Sequence, residues 1–234
     1  MTPADASMRT QLALVRLLQL ASPTLPIGAF SYSQGLERVV EDGVVRDFAT
    51  AKDWLADVLE LVVAPGDAAL AWQMLVAADA ADAPALVGWN AWFRASRESA
   101  ELRAETEQMG GSLLRLLDDL ALADAFARAA AAAMRPVALP GAWALAARAY
   151  RIDPADALCA YVWSGLENAV LAAMKSIPLG QVAGQRLLLE LGERIPAALA
   201  VARAQPADAI ASFAPELAIA SARHETQYTR LFRS

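Results

Sequence analysis

The pair His224-Glu225 is the strongest candidate for metal chemistry in the chain. Two histidines four residues apart on a helix, with a glutamate directly after the first, form the zinc-protease motif. Position 228 is a tyrosine and His224 is the only histidine, so the second ligand is missing. A catalytic zinc site would need Cys159 or distant carboxylates, which no spacing supports. We expect no resident metal, although imidazole, carboxylate and thiolate groups can contact a metal ion transiently.

Other signatures of catalysis are missing from the sequence. It has no Gly-x-x-x-x-Gly-Lys-Ser/Thr loop for a nucleotide and no Gly-x-Ser-x-Gly elbow, and one histidine serves few nucleophilic triads. The acidic residues Asp118, Asp119, Glu105 and Glu107 lie in polar helical stretches, which is typical of solvated faces. The sequence therefore predicts a binding protein and not an enzyme.

Residues 22–37, SPTLPIGAFSYSQGLE, predict a stiff and shaped turn. Pro23 and Pro26 fix φ twice, while Gly28 can adopt a φ that other residues avoid, and Gly35 adds a second flexible point. Such a turn is typical of recognition, since it contains almost no catalytic chemistry.

Five side chains of this turn are candidates for contact with a partner. Ser31 or Ser33 can cap the following helix, where the charge of Glu37 suits the exposed N–H groups. Phe30 and Tyr32 are large side chains that are available to a partner or to the protein's own core.

Residues 175–186, KSIPLGQVAGQR, form a second motif. On a helix beginning near Pro178, Gly180 and Gly184 would leave a strip where another backbone can approach, beside a stripe formed by Gln181 and Gln185. The glutamines could be satisfied within internal helix packing, or, if they are exposed, could recognise the backbone of another segment. Lys175 would either face the helix dipole or reach an acidic group on a partner.

The last eleven residues are rich in arginine and aromatic side chains, which dominate interface hot spots. We expect a partner-binding tail anchored by Arg230 and Arg233; the alternative is a terminal helix packed on the core. The remaining candidate contacts of this tail are His224, Glu225, Tyr228, Leu231 and Phe232.

The composition predicts an all-α fold. Hydrophobic residues make up 57% of the 234 residues, much of this share is alanine, and no stretch alternates with the period of a strand. We predict a single-domain helical bundle of roughly ten helices over 1–234, with 1–7 and 224–234 as flexible termini. No linker or repeat divides the chain.

Three signals fix the expected helices most clearly. Met8 to Leu20 carries apolar residues at helical spacing and should bury one face. A second helix should begin at Asp47 and stop at Pro65-Gly66, and Asp153-Pro154 should start a central helix that runs towards Lys175. The remaining predicted helices cover residues 67–79, 84–95, 97–119, 121–134, 178–191, 197–204 and 208–228.

The charge pattern excludes several functions. A net charge of −6 with only two lysines, Lys52 and Lys175, argues against a nucleic-acid surface. The single cysteine, Cys159, fits a reducing compartment, and no signal peptide is visible, so we expect a cytoplasmic protein. The uncharged run from Leu17 to Leu36 contains Pro23 and Pro26, which argue against a membrane span.

Three segments resemble the urease accessory protein UreF family. Residues 22–37 are similar to its N-terminal signature, residues 175–186 to its Pro-x-Gly-Gln-x-x-Gly-Gln motif, and residues 224–234 to its C-terminus. A second glycine is common in the family where this chain has Ala29. Because the three motifs occur in order along the chain, the resemblance covers essentially all of it.

The resemblance implies a role in nickel insertion into urease. A family member would bridge the urease apoprotein, through UreD (also called UreH), to the GTPase UreG, gate GTP-dependent nickel delivery, and form a homodimer. It would hold no intrinsic cofactor, and transient contact with nickel remains an open alternative. A generic helical interaction module unrelated to nickel is the alternative, and a hydrolase centred on His224 is the poorest reading.

Overall fold

The protein is described by a computed structural model that covers the main chain of residues 3–234 and the side chains of residue 8 and residues 10–234. This part of the chain forms helices and turns without a strand, which confirms the all-α prediction. The N-terminal residues 1–7 were predicted to be flexible. Residues 1 and 2 lie outside the described residues, and residues 3–7 begin the first helix.

The α-helices follow one another with short connections. In chain order they are α1 Pro3–Leu20, α2 Leu36–Glu41, α3 Phe48–Asp57, α4 Ala68–Asp79, α5 Ala83–Ala95, α6 Ala100–Asp119, α7 Ala125–Ala133, α8 Leu139–Tyr150, α9 Pro154–Ser176, α10 Gln181–Gly192, α11 Ile195–Ala204 and α12 Pro215–His224. Short 3₁₀ turns cover Ala29–Ser31 and Ala207–Ala209, and a π-helix covers Val58–Asp67.

Helices α4 and α8 form the centre of the core. Most residues of both helices are buried, and each packs against α5 and α9, while α8 also packs against α6. The many alanines of α8 allow these close approaches because they have no long side chain. The predicted elements did not include α8, although the helix that begins at Pro154 also packs on α4 and α10, as expected of a central helix.

The predicted end of a helix at Pro65-Gly66 was wrong. Helix α3, the π-helix and α4 form one continuous rod, Phe48–Asp79, and Pro65 lies inside its π-helical part. In an α-helix the proline ring would clash with the carbonyl group four residues earlier, and the wider π turn separates the two.

The predicted buried face of α1 is largely exposed. Among the apolar residues of α1 whose side chains are described, only Leu20 is fully buried and Leu17 packs partly on the core. The exposed side chains are Met8, Leu12, Leu14, Val15 and Leu18. Residues at positions 8, 12, 15 and 18 share one side of a helix, so α1 presents an uncharged apolar face outwards.

Two further boundaries differ from those predicted. Helix α10 begins at Gln181 because Gly180 takes the capping position, with φ −74° and ψ 165°, and Pro178 lies in the preceding turn, where the Leu179 amide donates to the Ile177 carbonyl over 2.7 Å. Helix α12 covers Pro215–His224 and not 208–228, since proline favours the first helical turn.

In the described part of the chain, two helices are long and apolar enough to cross a membrane by length and composition, namely Phe48–Asp79 and Pro154–Ser176. An 18-residue apolar window of each helix is 61% and 44% buried inside the protein, respectively, as occurs in core helices.

Candidate functional site

The N-terminal signature adopts the turn that its glycines predict. Gly28 and Gly35 have φ of 78° and 81°, in the left-handed region, and each precedes a short helix. Gly35 also packs against α12, where an added Cβ would lie 3.2 Å from the nitrogen of Ser221. Pro23 and Pro26 are exposed on the outside of the turn.

The C-terminal segment lies against this signature. The amide and hydroxyl groups of Ser33 donate to the carbonyl oxygen of Ser234 over 2.7 and 2.6 Å, and the Arg233 amide donates to the Ser31 carbonyl over 2.8 Å. Phe232 is buried in the core. The flexible terminus expected at 224–234 is thus packed here, because the signature offers both hydrogen-bond donors and an acceptor to its main chain.

Glu37 holds the same segment from α2. Its Oε1 accepts the Leu231 amide over 2.6 Å, and its Oε2 accepts the Phe232 amide over 3.0 Å. The side chain is buried, with 9% of its surface exposed. Glu37 therefore positions residues 231–232. The sequence predicted that it would contact a partner, but the buried side chain does not face one.

His224 is fully buried between two carboxylates. Its Nδ1 lies 2.7 Å from Oε2 of Glu101, and its Nε2 lies 3.2 Å from Oε2 of Glu37. Arg230 donates to the other oxygen of Glu101 over 2.5 Å. Within the described residues no group of three or more His, Cys, Asp or Glu side chains could hold a metal ion.

Two further glutamates join the segment to α6. Glu225 accepts the Ala100 and Glu101 amides over 2.8 and 3.3 Å, which caps the start of that helix. Glu105 accepts hydrogen bonds from Ser234 over 2.6 Å and Gln34 over 2.8 Å.

Glu105 was predicted to be part of a solvated face, and this was wrong. The carboxyl is buried, and the burial raises its pKa to about 7, against the lowering effect of the hydrogen bonds from Ser234 and Gln34. Residues 34 and 234 lie far from 105 in the sequence, so no local pattern could show the burial.

The outer side of this arrangement exposes several large side chains. Phe30 has 63% of its surface exposed and Leu231 71%, and the Lys175 ammonium lies 6.0 Å from the Phe30 ring and 5.6 Å from the Phe232 ring. Arg233 lies beside the Tyr32 hydroxyl, which donates to Gln108 over 2.8 Å. We call Phe30, Lys175, Leu231 and Arg233, with the exposed Tyr228 on the same segment, the motif surface.

The rest of the central motif lies elsewhere. Gln181 and Gln185 are exposed on α10, beside Val182 at 84% and Leu189 at 67% exposure. A Cβ on Gly184 would overlap the Met174 side chain of α9, so the close approach there is internal and involves a side chain, whereas Gly180 faces open space. Only Lys175 of this motif joins the motif surface.

A cavity of about 160 Å³ lies behind the N-terminal signature. Apolar residues line most of it, among them Leu25, Ile27 and Phe30, and Glu105 and Tyr161 supply polar groups. Burial raises the pKa of the Tyr161 hydroxyl, which is therefore neutral.

Comparison with known proteins points to a single family. The UreF family profile matches residues 45–192. Urease accessory protein UreF of Dechloromonas aromatica (strain RCB) is 52% identical over 229 residues, which cover 97% of this chain and 100% of the relative. The protein of the same name from Azoarcus sp. (strain BH72) is 54% identical over 228 residues, 95% and 96% of the two chains.

A third relative, the bifunctional urease accessory protein UreEF of Bordetella bronchiseptica, is 50% identical over 224 residues, which cover 94% of this chain and 52% of the relative. These relatives are named accessory proteins, which confirms the prediction that the chain is not an enzyme. With this profile and these identities along nearly all of its length, the chain belongs to the UreF family of urease accessory proteins.

Proposed function

We propose that the protein is a scaffold for nickel insertion into urease, joining the apoprotein and a UreD/UreH-type protein to a UreG-type GTPase. The observation that carries this proposal is the convergence of the N-terminal signature, Lys175 and the C-terminal segment on one face. The hydrogen-bonded groups of that face point into the protein. Its exposed side chains are aromatic, aliphatic and basic, as in interface hot spots.

The polar network behind the motif surface supports a binding role. The carboxylate oxygens of this network, on Glu37, Glu101 and Glu105, accept hydrogen bonds that hold the C-terminal segment and Gln34. None of these groups is paired as a catalytic nucleophile with a general base. A segment held at several points presents its exposed side chains in a fixed arrangement, which lowers the entropy cost of binding.

The exposed face of α1 is a second candidate contact. Met8, Leu12, Val15 and Leu18 have between 46% and 64% of their surfaces exposed. Monomeric proteins rarely leave large contiguous apolar patches uncovered. Two separate surfaces are what a protein that bridges two partners requires.

The proposal includes a homodimer, a cytoplasmic location and gating of GTP-dependent nickel delivery. The exposed stripe Gln181, Val182, Gln185 and Leu189 on α10 supports self-association, since its uncharged side chains can face their own copies and the neighbouring Arg186 is paired with Glu190 over 2.8 Å. Nickel is treated as cargo that contacts the protein transiently, and no resident cofactor is proposed.

The nickel content of urease tests the proposal directly. Urease is co-expressed with its other accessory proteins with and without this chain, at equal apoprotein levels. Nickel-poor and inactive urease only without the chain supports the proposal, whereas equal loading overturns it and leaves a helical binding module with another partner.

A variant set locates the surface in the same assay. We expect Phe30→Ala combined with Leu231→Ala to lower nickel loading and co-purification of the UreD-type protein. The matched control is Phe213→Ala, because Phe213 is an aromatic residue with 82% exposure next to Ser212, which packs on Gly66 of the π-helix. An equal loss of nickel loading and of co-purification in the control would contradict the proposal that the motif surface binds the partner.

A further inference from the structure

Both ring nitrogens of His224 face carboxylate oxygens. The distances are 2.7 Å to Glu101 and 3.2 Å to Glu37, and the ring has no exposed surface. A neutral imidazole carries one N–H group and therefore donates one hydrogen bond, whereas an imidazolium donates two.

Both carboxylates act as acceptors in all their other contacts shown here. Glu37 accepts the Leu231 and Phe232 amides, and Glu101 accepts the Arg230 guanidinium. Hydrogen bonds of this kind favour the ionised carboxylate. Because ionised carboxylates cannot donate, each ring nitrogen of His224 must supply a proton.

We propose that His224 is a protonated clamp that holds residues 226–234 on the N-terminal signature, and that loss of its proton releases this segment. The imidazolium joins α12 to α2 through Glu37 and to α6 through Glu101. Deprotonation removes one of the donors to these carboxylates, and losing a hydrogen bond to a charged, poorly solvated acceptor is costly. The motif surface, which includes Leu231 and Arg233, then loses its fixed arrangement.

The charged groups around the clamp come from every element packed on it. Glu37 lies on α2, Glu101 on α6, and Arg230 on the segment itself, so two negative charges and one positive charge face the ring. Arg223 points to Asp42 at the surface, and Glu225 caps α6.

Glu105 is a second titratable group that touches the same segment, through Ser234. Burial raises its pKa to about 7, so ionisation of Glu105 also favours release of the segment as the pH rises. The variant Glu105→Gln removes this second titration and therefore separates the effect of His224 from that of Glu105.

Nuclear magnetic resonance of the intact chain tests the clamp, because a chain with a single histidine gives uniquely assigned ring signals. While residues 226–234 are held in place, we expect two protonated ring nitrogens. As the pH rises, the exchange protection of the Leu231 and Phe232 amides, corrected for intrinsic rates, should fall at least tenfold with the midpoint of the ring titration. A neutral ring with both amides still protected would overturn the proposal.

Two variants separate the clamp from other causes. His224→Gln, which stays neutral at every pH, should lower the protection of both amides and remove its fall with pH, while Arg223→Gln, a change on the surface of the same helix, should keep the wild-type profile. In Glu105→Gln, the midpoint of the fall in amide protection should still coincide with the titration of the His224 ring. A midpoint that this substitution shifts away from the ring titration would overturn the proposal. The measurement needs no partner protein, so its outcome is independent of the proposed function.

Discussion

At the scale of single residues, the buried Glu37 and Glu105 and the partly buried Glu101 form contacts that their sequence context does not show. Glu37 lies at the start of a helix, as the sequence predicts, but its acceptors serve the main chain of residues 231 and 232, 194 positions or more away. Glu101 and Glu105 lie on one polar helix and face inward, because α12 and the C-terminal segment cover that side. Local pattern cannot anticipate such distant partners.

The raised pKa of Glu105 predicts a pH dependence of stability. Its value rises from the ordinary 4.5 to about 7 in the folded chain, so folding favours the protonated carboxyl. The contribution is complete below pH 4.5 and is lost as the pH rises towards 7. We expect the free energy of unfolding of the wild type to fall relative to Glu105→Gln by up to about 3 kcal/mol between pH 4.5 and 8.

Urea unfolding of both proteins at a series of pH values measures this difference. Denaturant curves with equal slopes keep the comparison to stability alone. A gap between the two proteins that stays constant across this range would show that Glu105 is ionised at its ordinary pKa.

Substitution by alanine should change the free energy of unfolding in different ways at the adjacent glycines Gly110 and Gly111 of α6. A Cβ on Gly110 would lie 2.5 Å from the carbonyl oxygen of Val137 and 2.7 Å from the carbonyl carbon of Ala138, which are main-chain atoms at the start of α8. A Cβ on Gly111 would meet only Arg115, at 3.6 Å. We expect Gly110→Ala to lower the free energy of unfolding by about 1–3 kcal/mol.

Gly111→Ala is the matched control for this pair. It should be neutral or stabilise the protein by up to about 1 kcal/mol, because alanine favours a helix over glycine. Thermal unfolding followed by circular dichroism measures both variants, and equal melting temperatures would contradict the close approach of α6 and α8.

At the scale of elements, capping and proline signals gave good helix starts, while helix ends and buried faces were less predictable. The start at Asp153-Pro154 is confirmed, with Asp153 accepting the Ala155 amide over 2.8 Å. Helix α8 was missed, and the exposed face of α1 was assigned to the core. An apolar stripe shows that a face will be covered, but it does not say whether the cover belongs to the same chain.

Removal of residues 226–234 tests the C-terminal segment as an element. His224 and Glu225 remain, so the cap of α6 is kept. We expect the helical circular dichroism signal to change little, while the free energy of unfolding falls by a few kcal/mol because Phe232 no longer fills its buried site. Co-purification of the UreD-type protein should be lost.

The single substitution Phe232→Ala is the control for this truncation. It should reproduce the loss of stability and retain more partner binding, because Leu231 and Arg233 stay. Loss of cooperative unfolding after the truncation would mean that the segment is an essential part of the core.

At the scale of the whole molecule, the motifs of the sequence divide between two places. The N-terminal signature, Lys175 and the C-terminal segment meet on one side, but the glutamines of the central motif lie on α10. The sequence could identify the members of the site, since they are rich in aromatic and charged residues. It could not group them, because the grouping depends on how α9 and α12 cross the fold.

The stripe on α10 predicts the oligomeric state. Val182→Glu combined with Leu189→Glu should convert the homodimer that we propose into a monomer in analytical ultracentrifugation, because glutamates would then face each other across the contact. The melting temperature at low protein concentration should stay nearly the same, since both side chains are exposed.

Leu61→Glu is the matched control, because Leu61 is an exposed leucine on the π-helix with 52% exposure. It should leave the wild-type sedimentation unchanged. A wild type that sediments as a monomer at tens of micromolar, or a double variant that remains dimeric, would remove α10 from the dimer contact.

The continuous rod from Phe48 to Asp79 limits how this chain can change in length. Loops tolerate insertions because their ends can adjust, but α3 and α4 share one axis and pack on different neighbours, α10 for the former and α8 for the latter. Deleting one residue from the junction would turn one half against the other by about 100° if the rod stays helical, and would move every buried side chain of α4 away from α8. Gains and losses of residues during evolution should therefore occur in the connections between helices, and the length of the π-helix should be inherited almost unchanged.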